Sequence, residues 1–173
     1  MASDNRASRA LATASGMSRL DFIQKMNEKA FSLGLRDTKV FDVTGLDERN
    51  VSTAADIAGF IRAAAKYPLI GKITSRYTYR CRLQNKDRYK NFINTNRLVR
   101  SGWKTMIGKT GYITASGHCV ASILSDHKGN EITIVVLGSP TNSVRFNVAR
   151  KLAAYGFQKQ GRSGNGPDKV AGG

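Results

Sequence analysis

The sequence predicts an α+β fold, and three features predict it. Helical periodicity fills the first third of the chain. Three strand-like runs punctuated by turn residues follow in the last third, and a single amphipathic stretch comes after them. In order, residues 6–34 read as helix. Ala, Leu and Met dominate there, and Leu20, Ile23, Met26, Ala30 and Leu33 recur at three- and four-residue steps, an amphipathic stripe. Ser3 or Asp4 can cap the start, because short polar side chains accept hydrogen bonds from the free N–H groups of a first turn. Gly16 and Ser18 split the stretch into two helices, and Gly34 ends the second. Residues 41–51 read as a loop turning at Gly45. Thr53 to Asp56 form a variant capping box ahead of an apolar helix that ends near Tyr67-Pro68. A mixed, basic stretch runs on to about Arg100.

The last third is more regular. Residues 103–112 and 118–124 are strand-like, residues 126–130 are turn material, and residues 132–137 are strongly β-branched. The second and third runs make a hairpin with a five-residue loop. Residues 143–155 place Val144, Val148, Leu152 and Tyr155 at helical spacing, with Gly156 as the stop. The tail from 158 to 173 is Gly-rich and polar and reads as flexible. The expected order is therefore helices, then an antiparallel sheet, then a helix packed on it.

Composition bounds the partners. The chain has 173 residues, 28 Lys+Arg against 12 Asp+Glu, and a formal charge of +16. A chain of this length buries roughly 70% of its unfolded surface, enough for a core without a disulfide or metal staple. No apolar run approaches the ~20 residues of a membrane span. The first ten residues lack the apolar stretch of a secretory signal. Two Cys, Cys81 and Cys119, have no His partners at metal-ligand spacing, so neither a metal nor another cofactor is expected. The charge is concentrated: residues 72–109 hold eleven Lys/Arg and one acid, Asp87, interleaved with Tyr77, Tyr79, Tyr89, Phe92 and Trp103. Basic residues alternating with aromatics can track a nucleic-acid backbone and stack its bases, or can be the solvated surface of a strand.

Two short motifs carry chemistry. Lys109-Thr110-Gly111 lies at the end of the first predicted strand. The ammonium attracts a carboxylate, the hydroxyl can hydrogen-bond to it, and the glycine leaves room for a peptide along the strand edge. As a bare tripeptide it is equally a strand end entering a turn. Ser3-Asp4-Asn5 precedes the first helix. A Ser hydroxyl and an Asn amide two residues apart can face one cavity, the first relaying a proton and the second binding a substrate amide. The same triplet is also a plain helix cap.

In combination the motifs are more specific. SDNRASRALA, FIQKMNEKAFSLGLRDTKVFDVTGLDERNVSTAADIA, FINTNRLV, GKTGYITASGHCVASI, VVLGSP and ARKLAAYGF occur in this order. The chain resembles the serine D-alanyl-D-alanine peptidases, the low-molecular-mass penicillin-binding proteins, over residues 3–157. RNVSTAADI with KYPLI is most similar to the endopeptidase branch, with the carboxypeptidase branch close behind. The resemblance implies a β-lactamase/transpeptidase-like fold, an acyl-enzyme mechanism on peptidoglycan stem peptides, binding of β-lactams, and a place in the periplasm or cell envelope. It implies that Ser3, as proton relay, and Lys109 are catalytic, that Asn5 binds the substrate amide, and that Lys109 and Thr110 bind the terminal carboxylate with the substrate lying along Gly111. It makes nucleic acid the lesser alternative, and leaves a non-catalytic binder of stem peptides as another.

The family's third motif, a Ser-x-x-Lys nucleophile, precedes Ser-x-Asn, whereas only Met1 and Ala2 precede Ser3 here. The resemblance thus implies the C-terminal part of a catalytic domain, a partial domain over 1–157, without the family's first helix and strands. Two other strings match, Ser101 to Lys104 and Ser125 to Lys128. The first enters the Lys-Thr-Gly strand and the second a turn, where residues three apart do not share a face, so neither is expected to be a nucleophile. Ser163-Gly164-Asn165 mimics the second motif in the tail and is read as coincidence. His118 and Cys119, as neighbours on a strand, face opposite ways and are not expected to pair as base and nucleophile. The chain alone is expected to be inactive, and the second hairpin strand, lacking a neighbour, to offer an edge for self-association.

Overall fold

The computed structural model describes residues 1–84 and 87–163. Its helices are α1 (Asn5–Ala14), α2 (Arg19–Ser32), α3 (Ala54–Ala65), α4 (Pro68–Thr74) and α5 (Asn142–Ser163). Strands β1 (Thr78–Arg82) and β2 (Tyr89–Ile93) form a separate antiparallel ribbon. Strands β3 (Lys104–Ile113), β4 (Gly117–Ser125) and β5 (Glu131–Ser139) form a sheet in the order β3-β4-β5. The α+β expectation holds, including the five-residue loop between β4 and β5, where Asp126 accepts hydrogen bonds from the backbone N–H groups of Lys128 and Asn130.

The three-stranded sheet is covered on both faces. Alternation along β4 sends Val120 and Leu124 to one side and Ala121 and Ile123 to the other. On the first side they meet Ile134 and Val136 of β5 and Phe146, Ala149 and Ala153 of α5. Phe146 is 1% exposed, and its truncation to Ala would cost about 3–5 kcal/mol. On the second side Ile61, Ile57 and Ala64 of α3 pack against Ile107, Ala121 and Ile123. Strand β3 therefore passes between two hydrophobic layers, and its end carries Lys109, Thr110 and Gly111.

Three local expectations need correction. First, the basic stretch up to Arg100 is structured: it holds α4, the β1–β2 ribbon and a 3-10 turn at Arg97–Arg100. Helix α4 starts at Pro68, whose missing N–H costs nothing at a first position. Tyr77, Tyr79, Cys81 and Leu83 do alternate with Thr78, Arg80 and Arg82 there, but both faces of the ribbon are largely exposed, so the alternation marks no core face. Second, Gly156 does not stop the last helix. An added Cβ there would lie 3.3 Å from Ile132 Cδ1, so this glycine lets α5 approach β5 closely. Third, α5 runs on to Ser163, so residues 158–163 are helical; the rest of the expected tail, 164–173, lies outside the described residues. No described helix is long and apolar enough to cross a membrane.

Candidate active site

The N-terminal cap falls to Asp4. Its Oδ1 accepts from the N–H groups of Arg6 at 2.9 Å and Ala7 at 3.2 Å, so α1 begins at Asn5. This frees the Ser3 hydroxyl. Ser3 has φ 55°, the one positive value among described non-glycine residues, a left-handed conformation that a serine adopts at some cost. In that conformation Ser3 Oγ accepts a 2.7 Å hydrogen bond from Lys109 Nζ. The same ammonium donates to the backbone carbonyl of Thr110 at 2.5 Å.

Lys109 is accessible as a residue, but its ammonium end is crowded by protein. That desolvation disfavours the charged form and lowers the lysine pKa, and the nearby Arg145 guanidinium lowers it further. Ile107, Lys109 and Gly111 alternate onto the sheet face that carries α3. A mainly apolar groove of ≈ 390 Å³ opens there, lined by Phe60, Ile70 and Leu137 among others, with Lys109, Thr110 and Gly111 at its wall. A Cβ on Gly111 would touch only Cys119 Cβ, at 3.8 Å, so the space this glycine leaves faces the open side of the strand.

Thr110 is buried, and its hydroxyl sits 2.7 Å from the hydroxyl of Thr95. Thr95 in turn donates from its N–H and its hydroxyl to the Met1 carbonyl, at 3.3 and 3.2 Å. The structure thus brings Ser3, Lys109 and Thr110 together, with Asn5 half-buried one helical position beyond the cap. Thr95 itself is held by its neighbours. Asn94 Nδ2 donates to the carbonyls of Thr74 and Arg76, and the fully buried Asn96 donates to Ser122 Oγ at 2.9 Å. Asn96 crosses β3 over Gly108, where a Cβ would lie 2.3 Å from Asn96 Nδ2 and 2.5 Å from Ser122 Oγ.

Sequence reasoning missed two members of this arrangement. One is the Asn94-Thr95-Asn96 turn, whose signal was an uninterrupted polar triplet ahead of the strand. The other is Arg145 of α5, 5% exposed, whose Nη1 donates to the carbonyls of Gly111 at 3.0 Å and Cys119 at 2.8 Å. Its Nη2 donates to Asn142 Oδ1, and its Nε is buried without a partner. Arg145 clamps β3 to β4 immediately past Lys109. Nothing in a helical pattern of otherwise exposed basic residues singles it out.

The rejected candidates lie elsewhere. Ser101 closes the 3-10 turn, with its hydroxyl on the Leu98 carbonyl, and Lys104 opens β3. Ser125 ends β4 and Lys128 is in the following turn, so neither serine shares a helix with its lysine. His118 stacks on Tyr112 with ring centroids 4.2 Å apart, whereas Cys119 Sγ approaches the carbonyls of Ser116 and Gly117, and the two make no pair. Ser163 is the last residue of α5; Gly164 and Asn165 lie outside the described residues.

Comparison with known proteins identifies the family. The D-alanyl-D-alanine carboxypeptidase family matches residues 1–141. A D-alanyl-D-alanine endopeptidase of Escherichia coli is 40% identical over 156 residues, covering 90% of this chain and 50% of that protein. A DD-transpeptidase of Streptomyces superposes with a TM-score of 0.72 at 26% identity, covering 79% of this chain and 54% of that one. Penicillin-binding protein D2 of Listeria monocytogenes, in a cefotaxime-bound form, gives 0.67 at 28% identity, covering 79% and 55%. The chain spans about half the length of these relatives.

Proposed function

The chain belongs to the D-alanyl-D-alanine carboxypeptidase family, and from that premise we propose that it supplies the proton-relay and carboxylate-binding half of a serine peptidase site for D-alanyl-D-alanine peptides of peptidoglycan. The observation that carries this reading is the 2.7 Å hydrogen bond from Lys109 to Ser3. It joins the two motifs at one point although each is ambiguous alone.

In this reading the Lys109 ammonium and the exposed edge at Gly111 take the substrate's terminal carboxylate, or that of a β-lactam such as the cefotaxime bound by the Listeria relative. Because Lys109 donates to Ser3 Oγ, the Ser3 proton points away and can pass to a leaving amine, while Lys109 restores it. Asn5 binds the substrate amide from the start of α1. Thr110 joins the carboxylate by exchanging its bond with Thr95. The acylating serine is not among these 173 residues, because both Ser-x-x-Lys strings fall outside helices. The chain alone therefore binds but does not acylate. We infer that this work is done in the cell envelope, in the periplasm of a two-membrane cell.

Fluorescent penicillin tests this. The isolated chain stays unlabelled, while a hybrid joining it to the part of the Escherichia coli relative that it does not match becomes labelled. Covalent labelling of the isolated chain, or an unlabelled but folded hybrid, contradicts the reading.

A further inference from the structure

The β1–β2 ribbon plays no part in the site just described. It pairs only with itself, and of its ten strand residues all but Cys81 and Phe92 are exposed. Arg76, Arg80, Arg88, Lys90 and Arg100 on and beside it are exposed and form no ion pair among the described residues. Asp87, the one acid of the region, is paired with Arg82 at 3.2 Å. Exposed between these charges are Tyr77, Tyr79, Leu83, Tyr89 and Ile93, the last two 57% and 60% accessible. Cations lie over ring faces: Arg80 over Tyr89 at 4.2 Å, Lys90 over Phe92 at 4.8 Å, Arg100 over Tyr77 at 5.0 Å and Arg76 over Tyr79 at 5.9 Å.

We propose that this ribbon docks the protein on an anionic phospholipid membrane. Two observations favour a bilayer over a nucleic acid. Leu83 and Ile93 offer nothing to a base or a phosphate, yet suit the boundary between headgroups and acyl chains. Tyrosine rings with guanidinium groups beside them match that interface, the ring at headgroup depth and the cation at the phosphate. The charge is complementary and unopposed: no described acid other than Asp87 pairs with the ribbon. The contact would hold the protein by several weak terms.

The test is flotation of the 173-residue chain with vesicles of phosphatidylglycerol and phosphatidylethanolamine in equal parts, and with phosphatidylcholine alone, at rising salt. Binding is expected to the anionic vesicles only and to fall with salt. Arg80→Gln with Arg88→Gln is expected to weaken it about 30-fold, the equivalent of about 2 kcal/mol at about 1 kcal/mol per basic residue. Arg80→Lys with Arg88→Lys retains most of it, which separates loss of charge from loss of structure. Arg150→Gln with Lys151→Gln, an equal charge change on α5, leaves it nearly unchanged. Equal loss in both Gln pairs, equal binding to phosphatidylcholine, or displacement from vesicles by a single-stranded oligonucleotide would overturn the proposal. Since no acylation is involved, the outcome is independent of the penicillin experiment.

Discussion

Lys109 Nζ donates to Ser3 Oγ at 2.7 Å across 106 positions of sequence. Both ends of this contact are prepared by other residues. Asp4 takes the cap, which leaves Ser3 free at φ 55°. Thr95 ties the Met1 carbonyl to Thr110, the residue after Lys109. Arg145 fixes the carbonyl of Gly111 one residue further on.

The lysine's protonation gives the first prediction. Burial, reinforced by Arg145, lowers the Lys109 pKa below the ordinary 10.5. The unfolded chain therefore holds this proton more tightly than the folded one. Stability contributed through Lys109 rises as pH climbs from the lowered folded value toward 10.5. Carboxylate binding changes in the opposite direction, because it needs the ammonium and fails as pH passes the folded value. NMR titration of lysine-labelled protein should show Lys109 losing its proton before the exposed lysines. Simultaneous titration would contradict the described burial.

Gly108 is required by the passage of Asn96 over β3. A Gly108→Ala substitution places a methyl 2.3 Å from Asn96 Nδ2 and 2.5 Å from Ser122 Oγ, and one of these buried groups must move. The expected loss is about 1–3 kcal/mol, read by thermal or urea unfolding. Because Asn96 adjoins Thr95, ligand binding at Lys109 should weaken as well. An unchanged midpoint would mean that this crossing is looser than described.

Arg145 should matter for stability although it lies beyond the three motif residues. Arg145→Met leaves the Gly111 and Cys119 carbonyls without their donor, at about 1–3 kcal/mol for each buried group left unpaired. Arg145→Lys restores the charge but not the planar guanidinium that serves both carbonyls through Nη1 while Nη2 holds Asn142, so it should recover only part of the loss. Denaturant midpoints of the two variants decide this, and full recovery by Lys would count against the clamp.

Strand β5 pairs with β4 on one side, and among the described residues no strand covers its other edge. An open edge beside exposed Leu137 is a template for pairing with another chain. Sedimentation of the isolated chain should show concentration-dependent association, and Leu137→Lys, at the exposed end of this edge, should reduce it. A monomer at all concentrations would contradict the expectation.

Much of this arrangement was legible in the sequence, for definable reasons. Helices α2 and α3 and the three strands of the sheet each turn one face inward, and that writes a period into the residues, whereas the split at Gly16 to Ser18 and the cap at Thr53 are read from the residue types that turns and caps require. The exposed β1–β2 ribbon buries no such face. Helix α4 is seven residues long, too short for a period, and is held by packing on β3, where a Cβ at Gly71 would lie 3.1 Å from the Met106 carbonyl. Gly156 reads as a stop because a glycine that ends a helix and one that admits a neighbouring strand look alike in sequence. Ser3, Lys109, Thr110 and Gly111 were found through motif order, whereas Thr95 and Arg145 hold the site by contacts that spacing does not encode.

The central claim is that Ser3 and Lys109 act together on a D-alanyl ligand. The most direct measurement is fluorescent-penicillin acylation of the hybrid with the Escherichia coli segment, comparing the parent with Ser3→Ala, Lys109→Ala and the double variant. Each single change removes a charge-assisted hydrogen bond and should slow acylation about 10- to 100-fold. The double variant should be little worse than the poorer single one, because the pair acts as a unit. Acylation by Lys109→Ala at the parental rate, or losses in the double variant that simply multiply, would contradict the account.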